Sequence, residues 1–411
     1  MKNRGTGKYF TLLNLYLAQS VPMSFFSTVV PVIMRMEHYS LESIGYLQLV
    51  KLPWILKFLW APVVDKSAGT SRKYRRWIIF SELFYAMVIS SIGFFSLQTD
   101  FKTIIVLMII AFTASATQDI ATDAFAILNL KKHERSLGNS MQSAGSFLGT
   151  LVGSGVLLIV YHYLGWNYLV WCLALCVVFA IIPLSLYRLK NREQQEERKV
   201  SSKSVSYFEF VHFFRQKGTG LHVLILALFY SGVIGILTML KPYLVDLGYE
   251  VKQIGFMSGI FGTAVGSLMT LPAGFFIRKQ GLKKGIFLFA GINTLAAAYF
   301  LFLTFTSHPL YLIYIAVALL WSAYAMSSVF IYTLSMQVVR SGREGSDFTI
   351  QIVITHLSSL LIAVFSGKLA DAITYRGLFC TELLLCVFVL VLLPFIFKEK
   401  FYNDEISSTS D

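Results

Sequence analysis

Charge is scarce in this sequence. Only 14% of its 411 residues are Asp, Glu, Lys or Arg, where a soluble domain carries roughly 25%. That is too little to coat a water-facing surface, so a soluble globular protein is excluded. Cysteine is scarcer still, with four in all: Cys172, Cys176, Cys380 and Cys386. Every one falls inside an apolar run and has no metal-ligand company, which excludes a disulfide framework and a metal site and leaves small packing residues. No nucleophile, histidine and acid gather at one level of the chain, so an enzyme is a distant alternative and no cofactor is expected.

What is abundant is apolar sequence in long blocks, 56% of the residues overall. A membrane span takes ~20 mainly apolar residues. Twelve such blocks are centred near residues 21, 53, 86, 116, 148, 177, 233, 264, 294, 324, 360 and 387. The pattern predicts an all-α integral membrane protein with twelve transmembrane helices, numbered here as spans one to twelve. The opening MKNRGTGK is basic, but the apolar stretch after it has full span length and no convincing cleavage site, so it reads as span one rather than a removed signal. The net charge of +13 could suggest a nucleic-acid partner. Topology accounts for it instead. With both termini in the cytoplasm, the inner segments hold 27 Lys and Arg and the outer loops four, Arg35, Lys102, Lys252 and Arg376. That is the positive-inside bias.

One long polar stretch interrupts the spans, dividing the chain into a six-helix bundle at 1–187, a cytoplasmic linker at 188–218, a second six-helix bundle at 219–398 and a tail at 399–411. Within the linker, YFEFVHFF (207–214) is amphipathic and suits a membrane surface. The halves repeat. An offset of 210 residues lays Ile44-Gly45 over Ile254-Gly255, Pro62 over Pro272, Lys73 over Lys283 and Glu134 over Glu344 without a gap. Two pseudo-symmetric six-helix bundles of parallel repeats are the hallmark of major facilitator transporters. The loops APVVDKSAGTSRKYRRW (61–77) and PAGFFIRKQGLKKG (272–285) resemble that family's gating motif. The resemblance gives Asp65 the part of an acid pairing with an arginine, and makes Arg75 and Arg76 gate bases. Gly145, Gly149 and Gly153 in span five, and Gly255, Gly259, Gly262 and Gly266 in span eight, supply small faces for helix contact, expected where the two halves meet.

A charge at the bilayer centre costs about 2.5–3.5 kcal/mol, so each needs a partner or a wet cavity. Lys57 in span two, Glu82 in span three, and Asp119 and Asp123 in span four share one layer, roughly 5–10 Å to the cytoplasmic side of the midplane at 1.5 Å per residue. His356 of span eleven falls at the same depth. Asp119 and Asp123 are four apart and project from one helix face. Lys57 can hold one acid charged while the other exchanges a proton; the alternative is a structural ion pair. The offset places Val329, Thr333, Ser267 and Ile292 over the four members, so the second half lacks the layer and a proton site is expected in the first. Cavity candidates are Gln19 before the kink at Pro22, the polar stripe of span five with Asn139, Gln142 and Ser146, and Tyr324 in span ten.

KFLWAPVVDK (57–66), RKYRRW (72–77), ATQDIATDAFAI (116–127) and HERSLGNS (133–140) together resemble the AmpG-type muropeptide permeases and the acetyl-coenzyme A transporters of the same branch. The match covers residues 40–155 well and the rest mainly by topology. It implies secondary transport, mostly proton-driven import across the inner membrane. It also places Lys57, Asp65, Gln118, Asp119 and Asp123 on the branch's characteristic positions. The longer members carry extra spans that are absent here, whereas LYLAQSVP (15–22) looks like the compact siderophore importers. Muropeptide, ferric siderophore and acyl-CoA-like substrates stay open, as do export and Na⁺ in place of the proton. A monomer in the lipid bilayer is the default.

Overall fold

The computed structural model describes residues 4–36, 47–97, 99–187, 205–216 and 218–403. The Ile44-Gly45 end of the repeat, most of the 188–218 linker and the tail after Asn403 lie outside the described residues. Regular structure in the described residues is helical throughout.

Span one joins Arg4–Ser24, a π-helical turn Phe25–Val29 and Val30–Met36, the irregular turn following the expected kink at Pro22. Span two is broken into Gln48–Lys51, Leu52–Leu56, Lys57–Leu59 and Ala61–Ser67. Spans three and four are Ser71–Ile92 and Phe101–Asn129. Span five runs through Arg135–Leu151, the π turn Val152–Val156 and the start of Leu157–Leu186. A non-helical Gly165, φ 73°, there turns the chain into span six. Span seven is Thr219–Leu228 with Ser231–Asp246. Spans eight and nine follow as Val251–Ile254, Gly255–Phe261 and Gly262–Leu303, divided at Gly281 with φ 81°. Span ten is Leu310–Gln337, and Glu344–Ile396 supplies eleven and twelve, divided at Ile373 and Thr374. The described residues thus carry twelve spans at the twelve expected places. Six of the described helices are individually long and apolar enough to cross a membrane, and two of those cover two spans each.

The chain packs as two compact units. The first comprises 1–131, 144–210 and 339–350; the second comprises 132–143, 211–338 and 351–411. Each unit therefore contains the start of a span from the opposite half of the sequence. In the first, the end of span two receives the start of span eleven through Asp65 and the backbone of Gly345 and Ser346. In the second, the end of span eight receives the start of span five: Ser140 Oγ donates to Thr270 O at 2.6 Å. A Cβ on Gly274 would stand 2.8 Å from Ser136 O. The 210-residue offset lays Ser136 under Ser346 and Asp65 under Phe275. The same docking occurs twice, held by a carboxylate in one copy and by close backbone packing in the other.

The glycine faces do different work from that expected. In the first unit, a Cβ on Gly145 would lie 2.6 Å from Leu13 O, and one on Gly149 2.6 Å from Ser20 Cβ. The face packs span five onto span one of its own unit. In the second unit Gly262 and Gly266 meet Trp321 of span ten, while Gly255 and Gly259 have nothing within 4 Å. Helix contact in lipid rests on close packing, and a missing Cβ serves that need between neighbours within one unit.

Candidate functional site

The first unit brings the span-four acids together with spans one and two. Pro62 lacks an N–H and its ring crowds the carbonyl four residues back, so span two tightens into a 3₁₀ turn at Lys57–Leu59 instead of running on as α-helix. That turn holds Lys57 inside the unit, 1% exposed. Its ammonium forms an ion pair with Asp119 and lies 4.9 Å from the Trp54 ring centre, so a carboxylate and a π face both meet it. Trp60 Nε1, one turn on, donates to Thr117 Oγ1 at 3.1 Å and fixes span two against span four.

The two acids have separate partners. Asp119 engages Lys57, whereas Asp123 accepts a hydrogen bond from the hydroxyl of Tyr16 in span one. Gln19, one turn further along span one, donates through Nε2 to Gln118 Oε1. All of these side chains are buried. The antiparallel course of spans one and four sets the order of the rungs, Tyr16 on Asp123 and Gln19 on Gln118. The part of Tyr16 is hidden in the sequence, because an aromatic residue inside an apolar run carries no mark of its hydroxyl's partner.

Several buried polar groups in this part of the molecule have no hydrogen-bond partner among the described residues, and two of them bear on the charge layer. Neither carboxyl oxygen of the fully buried Glu82 has a hydrogen bond, and nor has Gln118 Nε2. Buried polar atoms are seldom left so. Gln118 thus presents a free amide donor beside the Lys57–Asp119 pair.

Other expected residues lie elsewhere. Asn139 belongs to the second unit, where Nδ2 donates to Arg135 O at 2.8 Å and reaches Thr333 Oγ1 at 3.4 Å. Gln142 is buried in that unit, and Tyr324 is half-buried with its ring 6.1 Å from those of Tyr230 and Trp321. His356 is exposed on span eleven. Ser146, in the first unit, is half-buried, and its carbonyl accepts from Thr150 Oγ1.

Asp65 does not form the expected acid–arginine pair. Asp65, 2% exposed, accepts from Tyr74 Oη at 2.6 Å, Gly345 N at 2.9 Å, Ser346 N at 2.7 Å and Ser346 Oγ at 2.6 Å. Its partner is a helix start. Unpaired N–H groups and the positive end of the helix dipole suit a carboxylate there without any guanidinium. Gly345 is required by the approach, since a Cβ would lie 2.6 Å from Asp65 Oδ1. Arg75 instead donates to Ser185 O at 2.6 Å and Tyr187 O at 3.0 Å at the end of span six, and Arg76 is exposed.

Arginines do pair beside this point, with Asp347 and Glu209, neither of which lies in the loops that resemble the gating motif. Arg340 holds Asp347 with two side-chain bonds of 2.6 and 2.8 Å and lies 3.1 Å from Glu209 Oε2. Arg343 Nε is 2.8 Å from the same oxygen. Glu209 also accepts from Ser206 N at 3.0 Å, the reciprocal arm of a capping box that starts the linker helix Glu209–Phe214. Burial alone would raise the Glu209 carboxyl. The Arg343 contact, the Ser206 N–H and the Arg340 charge outweigh it and hold the group below the usual glutamate range. The sign follows. A depressed native value stabilises the charged fold above the unfolded value of ~4.3. That contribution is lost only as pH falls beneath it through the native value. Protection of the amides over 205–216, measured against their intrinsic exchange rates, should be high at neutral pH and fall at acid pH, and a Glu209→Gln chain should be weakly protected at both. Equal protection in the two chains at neutral pH would refute the tie.

The profile of the Major Facilitator Superfamily matches residues 12–351. An anhydromuropeptide permease of Escherichia coli K12 is 23% identical over 88% of this chain and 74% of its own. A putative transporter AmpG 3 of Rickettsia typhi is 25% identical over 95% and 96%. Among solved structures, a Major Facilitator Superfamily transporter, FucP, in the outward conformation superposes with a TM-score of 0.71 at 12% identity, over 95% of this chain and 98% of that one. A bacterial homologue of the iron transporter ferroportin in the outward-facing state gives 0.68 at 14% identity, over 96% and 99%. These structural likenesses are likenesses of fold.

Proposed function

The chain belongs to the Major Facilitator Superfamily, and from that premise we propose that this multi-pass membrane transporter is a proton-coupled importer of a bulky polar metabolite, working by alternating access. The observation that carries the reading is the span-four pair. Asp119 is paired with Lys57, while Asp123 accepts a hydrogen bond from Tyr16. In this reading Lys57 offsets the charge of one acid, and the other, four residues along the same helix face, exchanges the proton. Gln118 Nε2 and Gln19 supply neutral polar contacts suited to amide or sugar groups.

Muropeptide-like compounds are the first substrate class, supported by the anhydromuropeptide permease among the relatives; siderophore-like compounds come second. The inner membrane is the proposed site, with cytoplasmic termini. Asp65 with its helix start, and Glu209 with its arginines, form the cytoplasmic gate. The six-span halves, 1–187 and 219–398, are the proposed moving parts.

The test is uptake into proteoliposomes under an imposed pH gradient, with an anhydromuropeptide and a ferric siderophore in parallel. One compound should accumulate in wild type, and Asp123→Asn should abolish accumulation while leaving downhill exchange. Gradient-driven accumulation in Asp123→Asn equal to wild type would defeat the coupling assignment.

A further inference from the structure

The charge layer of the first half leaves one membrane acid unused, and it stands in the second. Glu382 lies roughly 10 Å into span twelve from Tyr375 at 1.5 Å per residue. It is 3% exposed. The Ser366 hydroxyl of span eleven donates to its Oε1 at 2.7 Å. Span seven makes room for the carboxyl by what it omits. A Cβ on Gly235 would fall on the carboxyl itself and 2.7 Å from Ser366 Oγ, and one on Gly232 would sit 2.7 Å from Glu382 O. Three spans of the second unit therefore converge on one carboxyl group.

Its partners among the described residues are neutral. The groups that face it are the Ser366 hydroxyl from span eleven, the two glycines of span seven and, on its own span, the Cys386 thiol beside Gly232. Among the described residues no ion pair reaches Glu382, in contrast with Lys57 on Asp119. A single hydroxyl donor is a poor match for a full charge at this depth, where an acid without a cation marks a proton path more often than a packing need. A mere packing role would be met by an apolar residue, which would need no hydroxyl beside it.

We propose that Glu382 is a proton-binding site of the second half, formed with Ser366 against the glycine face of span seven. Ser366 keeps its hydrogen bond to Oε1, and the proton is carried on Oε2. Loading forms one O–H bond at the expense of a hydronium ion, and unloading returns the proton to water. The carboxyl's charge changes where spans seven, eleven and twelve meet, so their packing is coupled to its occupancy. The role in transport rests on the proton-coupled reading above; the site itself does not.

Infrared difference spectroscopy on the full chain in lipid tests the site directly. Wild type should show the stretching band of a protonated carboxyl that vanishes as pH is raised, and Glu382→Gln should lack it. Ser366→Ala should move that band to higher frequency by removing its hydrogen bond, a shift that a structural role would not produce. Superimposable wild-type and Glu382→Gln spectra at every pH would overturn the proposal. Should the Gln chain fail to insert, an unmoved band in Ser366→Ala would overturn it alone. Gradient-driven uptake is measured in parallel. A wild type with no proton coupling defeats the transport reading and leaves the infrared result standing by itself.

Discussion

Replacing Lys57 by methionine should destabilise the protein by about 3–5 kcal/mol, because Asp119 would be left as a buried charge without its cation. Asp119→Leu should cost a similar amount from the other side, with the ammonium stranded against Trp54. The two changes made together should recover most of the loss, since a buried pair replaced by apolar groups of similar volume is often near neutral. Thermal unfolding of the two single variants and the double variant in detergent gives the coupling directly. Transport separates structure from mechanism. The double variant should insert and unfold like wild type yet accumulate no substrate. A stable double variant with full gradient-driven uptake would reduce the pair to scaffolding.

The second large effect is expected at Asp65. Alanine there removes one acceptor from four donors, three of them at the start of span eleven. Each stranded buried donor costs ~1–3 kcal/mol, and the losses overlap, so a total on the order of 3–5 kcal/mol is expected. Asparagine keeps one acceptor oxygen but turns an NH₂ toward N–H groups, so it should recover little. Hydrogen exchange at Gly345 and Ser346 is the readout. Both amides should lose their protection in Asp65→Ala, while those deep in span eleven keep theirs. Unchanged exchange at the two amides would show that the helix start needs no anion.

The spans are legible in the sequence because lipid imposes length and apolarity on every one of them, and the divided helices at Gly165, Gly281 and Thr374 fall where the expected blocks meet. Lys57 and Asp119 are legible for a related reason: charges in apolar runs are few, and opposite signs at one depth seek each other. Partners that leave no mark are not. Tyr16 is an aromatic residue among apolar neighbours, and the N–H groups of Gly345 and Ser346 exist in any sequence. Glu382 escapes because the repeat directs attention to the positions over Lys57, Glu82, Asp119 and Asp123, none of which is charged in the second half. An acid outside the duplicated register is invisible to that comparison. The glycine faces illustrate the same limit: spacing reveals that a helix will be approached, and the identity of the neighbour comes only with the packing.

The bond between Asp65 and Gly345 closes a loop of 280 residues. A ribosome working at about 5–20 residues per second needs on the order of 15–60 s to make that much chain. For that interval the end of span two exists without its lid, and the Asp65 carboxylate must stay hydrated at the cytoplasmic surface. The mirror docking in the second unit runs the other way: the start of span five is made long before span eight, which it meets at Thr270. Neither half of the newborn protein can therefore finish alone. Severing the gene at the linker should yield two fragments that are each degraded when made singly, and that survive only when made together in one cell.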